Sequence, residues 1–146
     1  MPNASYAQRS CIAWTTATGV YAVSLPERFR REGKALFQGR TLAEWVPDIV
    51  STVAMACDPE RVLLFGSVAR GDDGPDSDLD LMVVLSSIDY SKRHELGAKL
   101  RLVTPPLVPV QIFVTDLREC KRRRDVIGSM HYWPLREGRD VYTRAS

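Results

Sequence analysis

The chain has 146 residues, 45% hydrophobic and 26% charged, a composition that suits one globular core and excludes a disordered tail, a fibre or a multi-domain array. Twenty Lys and Arg against eighteen Asp and Glu leave a formal charge of +2, too slight to mark a nucleic-acid or membrane-surface protein, so any polyanion site must be local. No apolar run approaches the roughly 18 residues that cross a bilayer, and no membrane span is expected.

Residues 1–40 read as an N-terminal extension without a clear pattern. Within it, Cys11 to Ser24 is apolar but diluted by Thr15, Thr16, Thr18 and Gly19, a poor export segment that reads better as a buried or strand-like arm. Glu27 to Lys34, following Pro26, predicts a short helix. Cys11, Cys57 and Cys120 are odd in number, far apart and in no CxxC spacing, which argues against a disulfide framework or zinc site and for a reducing, cytoplasmic compartment.

From Thr41 to the end, residues 41–146, the pattern sharpens into an α/β segment. Leu42, Trp45, Val46, Ile49, Val50 and Val53 recur at three- and four-residue steps, predicting an amphipathic helix with Thr41 as N-cap, Glu44 completing a capping box, and an end at Asp58-Pro59. Arg61–Phe65 is a short apolar run bounded by Pro59 and Gly66, a buried strand; Leu79–Leu85 is a second. Ser91 to Leu102 predicts a surface helix ending before Pro105-Pro106, and Val108 to Val114 a third strand. Thr115 or Asp116 then caps a basic helix carrying Arg118, Lys121, Arg122, Arg123 and Arg124, and Asp140 to Thr143 forms a last short strand. The alternation predicts helices layered on a sheet.

The chemical signal lies between the first two of these strands: Gly66-Ser67-Val68-Ala69-Arg70-Gly71, an Asp-rich loop, then Asp78-Leu79-Asp80. Residues two apart on a strand share a face, so Asp78 and Asp80 would present both carboxylates together while Leu79 and Leu81 face the core. Paired carboxylates suit a hard divalent cation such as Mg²⁺ or Mn²⁺, held jointly with a substrate's phosphates. Gly66 lets a phosphate approach the backbone, Ser67 adds a hydroxyl, a following helix start adds N–H groups, and Arg70 reaches either a phosphate oxygen or the acidic loop.

Rival motifs fail at named positions. Asp72 and Asp73 stand where a Walker A loop needs Lys and Ser or Thr; Phe65 and Ala69 stand where a nucleophile elbow needs glycines; Leu81 and Ser87 stand where an EF-hand needs Gly and Glu. Asp72, Asp73 and Asp76 read as ordinary loop formers. His94 and His131 read as surface or packing residues, and the Lys121–Arg124 run as a solvated face rather than a nucleic-acid site. Trp14, Trp45 and Trp133 read as core or interface residues, with nothing marking them as base-stacking platforms.

Gly66-Ser67, ten residues, then Asp78-x-Asp80 resembles the signature of the minimal nucleotidyltransferases of the DNA polymerase beta superfamily. The resemblance runs from the Thr41 helix to Tyr142, most closely in FGSVARG and SDLDLMVVL and again in Arg136 to Tyr142. It implies a nucleotidyltransferase-like mixed sheet flanked by helices. It also implies triphosphate binding by Gly66 and Ser67, Mg²⁺ on Asp78 and Asp80, and NMP transfer to an acceptor hydroxyl with release of pyrophosphate. Minimal members resemble antitoxins that modify a HEPN-domain toxin, so the implied acceptor is a partner protein, with a homodimer as another way to complete the site. The family places a third carboxylate on the next strand, where this chain has Gln111 in Val110-Gln111-Ile112. That departure raises a second reading, a catalytically silent nucleotide-binding or protein-interaction module. Asp116 cannot deputise, because five residues along an extended strand is roughly 16 Å.

Overall fold

The computed structural model describes residues 11–16, 19–24 and 30–146. The N-terminal arm is a hairpin, with β1 (Cys11–Thr16) antiparallel to β2 (Gly19–Ser24), in line with the strand-like reading of that stretch. The helix expected over Glu27–Lys34 is not formed over its described part. Instead β3 (Arg30–Arg31) and β4 (Lys34–Ala35) pair antiparallel across Glu32 and Gly33, at φ 53° and 79°. Two successive positive φ angles make a tight reversal that no right-handed helix can contain, and the charged stretch lacks an apolar stripe to hold it helical. Its residues 27–29 lie outside those described.

Helix α1 (Leu42–Cys57) starts at the predicted capping box: Thr41 Oγ1 accepts from the Glu44 amide at 3.4 Å, and Glu44 Oε2 accepts from the Thr41 amide at 2.7 Å. Its apolar stripe is buried as the spacing predicts, and the helix ends where Asp58 turns left-handed at φ 45°. The chain then forms β5 (Arg61–Phe65), the short α2 (Gly66–Arg70) and β6 (Leu79–Leu85). A 3-10 turn at Tyr90–Lys92 leads into α3 (Arg93–Val103), followed by β7 (Val110–Asp116), α4 (Leu117–Arg123), α5 (Tyr132–Glu137) and β8 (Arg139–Thr143). Some boundaries moved. Asp89 caps the 3-10 turn through the Ser91 amide, so α3 starts two residues late, and β7 is shifted two residues along, to Val110–Asp116; of the two cap candidates for α4, Asp116 is the one used. Helix α5 had no apolar period to announce it.

The four longer strands form one mixed sheet in the order β7-β6-β5-β8, with β6 parallel to β7 and β5 antiparallel to both β6 and β8. On one face Val62, Leu64, Leu79, Leu81 and Val83 pack against the α1 stripe and Leu100 of α3. On the other, Leu63, Met82 and Val84 meet Phe65, Cys120 of α4 and Leu135 of α5. Period-2 alternation thus fills two cores from the same strands, and full burial of each aliphatic side chain contributes about 1.5–3 kcal/mol. The face of Met82 is also that of Asp80, which places the candidate site at one end of the second core.

Candidate functional site

The cradle forms because the position just after β5 suits only glycine. Gly66 has φ 75°, and a Cβ built on it would stand 2.3 Å from Asp80 Oδ2. In the antiparallel register Phe65 lies opposite Asp80, so the turn passes directly beneath the Asp80 carboxylate. The backbone N–H groups that open α2 receive no side-chain cap, since the residue in the N-cap position is Phe65. Ser67 therefore lies inside the helix and is not its cap. With five residues α2 carries little macrodipole, and its local N–H groups are what it offers an anion.

Asp78 stands one residue before β6 and Asp80 is its second residue. Burial pushes the Asp80 carboxyl above its ordinary value, the charge of Asp78 pushes the same way, and Arg70 opposes both. Among the described residues no cation lies within ion-pairing distance of either carboxylate. Arg70 is exposed and pairs with Asp72 at 3.3 Å. The acidic loop is more than a loop: Asp73 is buried, its carboxylate held by Lys34 Nζ of β4 at 2.9 Å, while Lys34 also donates to the Gly71 carbonyl at 3.4 Å. Gly74 N–H donates to Ser77 Oγ at 2.9 Å, closing the turn that returns to Asp78.

Gln111 is the register partner of Asp80 on β7, which puts their side chains on one face. Its Nε2 donates to Asp78 Oδ2 at 2.8 Å. Glycine, serine, two carboxylates and the amide are therefore gathered around one sheet end. Asp116 is not part of this group. It is buried at the far end of β7, where Oδ1 accepts from the Glu119 amide at 2.8 Å and Oδ2 from the Ile88 amide at 3.3 Å. His94 is exposed, and His131 is half-buried against Thr115 Oγ1 at 2.7 Å, with burial pushing its pKa down. Arg122 and Arg123 of the basic helix are engaged by Glu119 at 3.4 and 2.8 Å.

Two residues of the neighbourhood carried no sequence signal. Lys34 lies in the extension read as a helix, and Trp133 in an unpatterned stretch. Trp45 is buried, its indole N–H donating to the Phe37 carbonyl at 2.9 Å, and Trp14 lies on β1. Trp133, by contrast, is 58% exposed and shares a cleft of about 350 Å³ with Phe65, Gly66, Arg70 and Glu137. Such placement was not foreseeable from residues as far apart in sequence as Gly66 and Trp133.

The donor set fits a hard divalent cation. Asp78 and Asp80 have carboxylate oxygens on one face, Gln111 has a carbonyl oxygen within an amide rotation, and neither carboxylate is ion-paired among the described residues. Among the described residues no three His, Cys, Asp or Glu side chains gather, so the amide is the third donor at hand.

The family model for polymerase beta nucleotidyltransferases matches residues 48–125. A crystal structure of a Sulfolobus solfataricus protein assigned as a nucleotidyltransferase shares the fold, with TM-score 0.51 and 23% identity over 70% of this chain and 81% of that one. More distantly similar are a toxin–antitoxin structure with AMP-PNP (TM-score 0.43, 20% identity) and a mutant of the toxin–antitoxin MntA-HpeT (TM-score 0.41, 19% identity). Each of these covers 66% of this chain and 73% of the other. No curated protein matches the sequence.

Proposed function

The chain belongs to the polymerase beta nucleotidyltransferase family, and from that premise we propose that it transfers NMP from a nucleoside triphosphate to an acceptor hydroxyl, with Gly66 and Ser67 holding the triphosphate and Asp78 and Asp80 holding Mg²⁺ or Mn²⁺. The single observation that carries the reading is the Asp80 carboxylate seated over a glycine without room for a Cβ, where a phosphate on the turn and a cation on the carboxylates must meet. The bound divalent ion would neutralise the phosphates and polarise the α-phosphorus.

The chain's own residues position and neutralise. Gly66 lets the phosphates lie against backbone, the α2 N–H groups and the Ser67 hydroxyl donate to their oxygens, and Arg70 adds a cation at the rim. The acceptor oxygen forms a bond to the α-phosphorus, the bridging α–β oxygen bond breaks, and pyrophosphate leaves. With an amide at position 111, the hydroxyl proton passes to Asp78, to Asp80 or to water. The acceptor hydroxyl is assigned to a partner protein on the sequence resemblance, as in an antitoxin acting on its toxin, and the compartment to the cytoplasm.

One observation favours the second reading, a silent nucleotide-binding module: Gln111 turns its N–H toward Asp78, satisfying the carboxylate where the family's third acid would repel it. Pyrophosphate release from ATP and Mg²⁺ separates the two, compared across wild type, Gln111→Asp, Gln111→Glu and Gln111→Ala. The proposal expects measurable wild-type turnover and an acidic variant faster by on the order of ten- to a hundredfold. No release from any of the four, with nucleotide still bound, would establish the silent module.

A further inference from the structure

We propose that Trp133 is the platform on which the base of a purine nucleoside triphosphate stacks. The proposal rests on the assignment of the triphosphate to Gly66 and Ser67, and it names the subsite that receives the other half of the same ligand.

The cleft of about 350 Å³ is lined by both Gly66 and Trp133, so a ligand with its phosphates on the turn has this concavity beside it for the nucleoside. Trp133 is 58% exposed, an apolar surface that folding leaves uncovered, whereas Trp45 is buried. The ring is held before any ligand arrives. It stands edge-on to Tyr132 at 5.1 Å and 88°, and the Arg136 guanidinium lies over the opposite partner of that pair, 4.3 Å from the Tyr132 centroid.

The helix that carries it is fixed in turn. Leu135 enters the second core with Leu63 and Met82, and Gly138 donates to the Pro134 carbonyl at 2.9 Å where a Cβ would be 2.1 Å from that oxygen. A platform ordered in advance spares the ligand the cost of ordering it.

Charge sets the direction of the ligand. Glu137 lines the same cleft, makes no ion pair among the described residues, and is acceptor-only when ionised. It repels phosphate and accepts from the hydroxyl or amino groups of a nucleoside. Arg70, on the same short helix as Gly66, does the reverse. The phosphates therefore lie at Gly66 and Arg70 and the nucleoside at Trp133 and Glu137. Purines offer a larger stacking face than pyrimidines, which makes them the preferred base.

The test is calorimetric titration, in Mg²⁺, of wild type, Trp133→Ala and Trp133→Phe with ATP, UTP and inorganic tripolyphosphate. Wild type should bind ATP more tightly than UTP. Trp133→Ala should weaken ATP by about ten- to a hundredfold, leave tripolyphosphate unchanged, and erase the preference for ATP over UTP. Trp133→Phe should recover most of the ATP affinity, which also guards against a folding defect in the alanine variant. Unchanged ATP affinity in Trp133→Ala would overturn the platform while leaving the triphosphate assignment standing, and so would an equal loss for ATP and tripolyphosphate. Failure of wild type to bind tripolyphosphate or ATP at all would overturn both.

Discussion

At the C-terminal end of β7, Asp116 is buried with two backbone N–H groups on its oxygens, and Glu119 just beyond it is engaged by Arg122 and Arg123, which hold its carboxyl below the usual range. At the opposite end, Asp78 and Asp80 converge with one amide donating to Asp78 and no cation within ion-pairing distance among the described residues, and the Asp80 carboxyl is pushed up. The first arrangement is how a fold accommodates acids it uses for structure. The second retains repulsion that a purely structural site would have relieved, so the two ends of one strand pair distinguish capping from chemistry.

Breaking the second end should have the largest effect. Gly66→Val would place a branched side chain at φ 75° and in the space of the Asp80 carboxylate, at a cost of about 1–3 kcal/mol in backbone strain before the displaced carboxylate is counted. The expected outcome is complete loss of nucleotide binding in calorimetry together with a lower melting temperature. A valine variant that binds ATP normally would place the phosphate cradle elsewhere.

The loop between the two halves of the motif gives an intermediate effect. Lys34→Met removes the cation from Asp73, whose side chain is 2% exposed, and leaves a buried charge without its partner. A loss of about 1–3 kcal/mol in urea denaturation is expected, discounted because Lys34 itself keeps some contact with solvent. The double variant Lys34→Met with Asp73→Leu should recover part of the loss. Equal stability of Lys34→Met and wild type would show the pair to be incidental.

The structural end should yield the smallest change, and one tied to pH. Burial lowers the His131 pKa in the folded state from its ordinary 6.5, so the unfolded chain takes up protons first as pH falls. The stability this group contributes is complete above pH 6.5 and is lost as pH drops from there toward the folded-state value. Urea denaturation at pH 8 and pH 5.5 should therefore show a smaller drop for His131→Gln than for wild type. Identical drops would remove His131 as a source of the pH dependence.

Much of the conserving logic of the fold was legible because it is local. The Thr41–Glu44 box, the α1 stripe and the apolar runs of β5 and β6 each announce themselves within one window. So did the site's first half, since Gly66, Ser67, Asp78 and Asp80 lie in the one short connection from β5 through α2 to the start of β6. The position of Gln111 beside Asp78 depended on β6 and β7 pairing in parallel with Asp80 opposite it, a register that the spacing suggests and only the sheet fixes. Lys34 and Trp133 were not legible. Each reaches the site from an element whose own sequence has no period, β4 because it is two residues long and α5 because a proline and two aromatics leave no stripe. Tertiary placement decided both.

The central claim is that Asp78 and Asp80 together hold a metal–nucleotide. The most direct measurement is the melting temperature of wild type and of the Asp78→Asn, Asp80→Asn double variant, each with and without ATP and Mg²⁺. The account predicts that the double variant without ligand melts at or above the wild-type temperature, because repulsion is gone, and that only wild type gains stability from ligand, by about 2.7 kcal/mol at a concentration of 100 Kd. An equal ligand-induced rise in both proteins would contradict it.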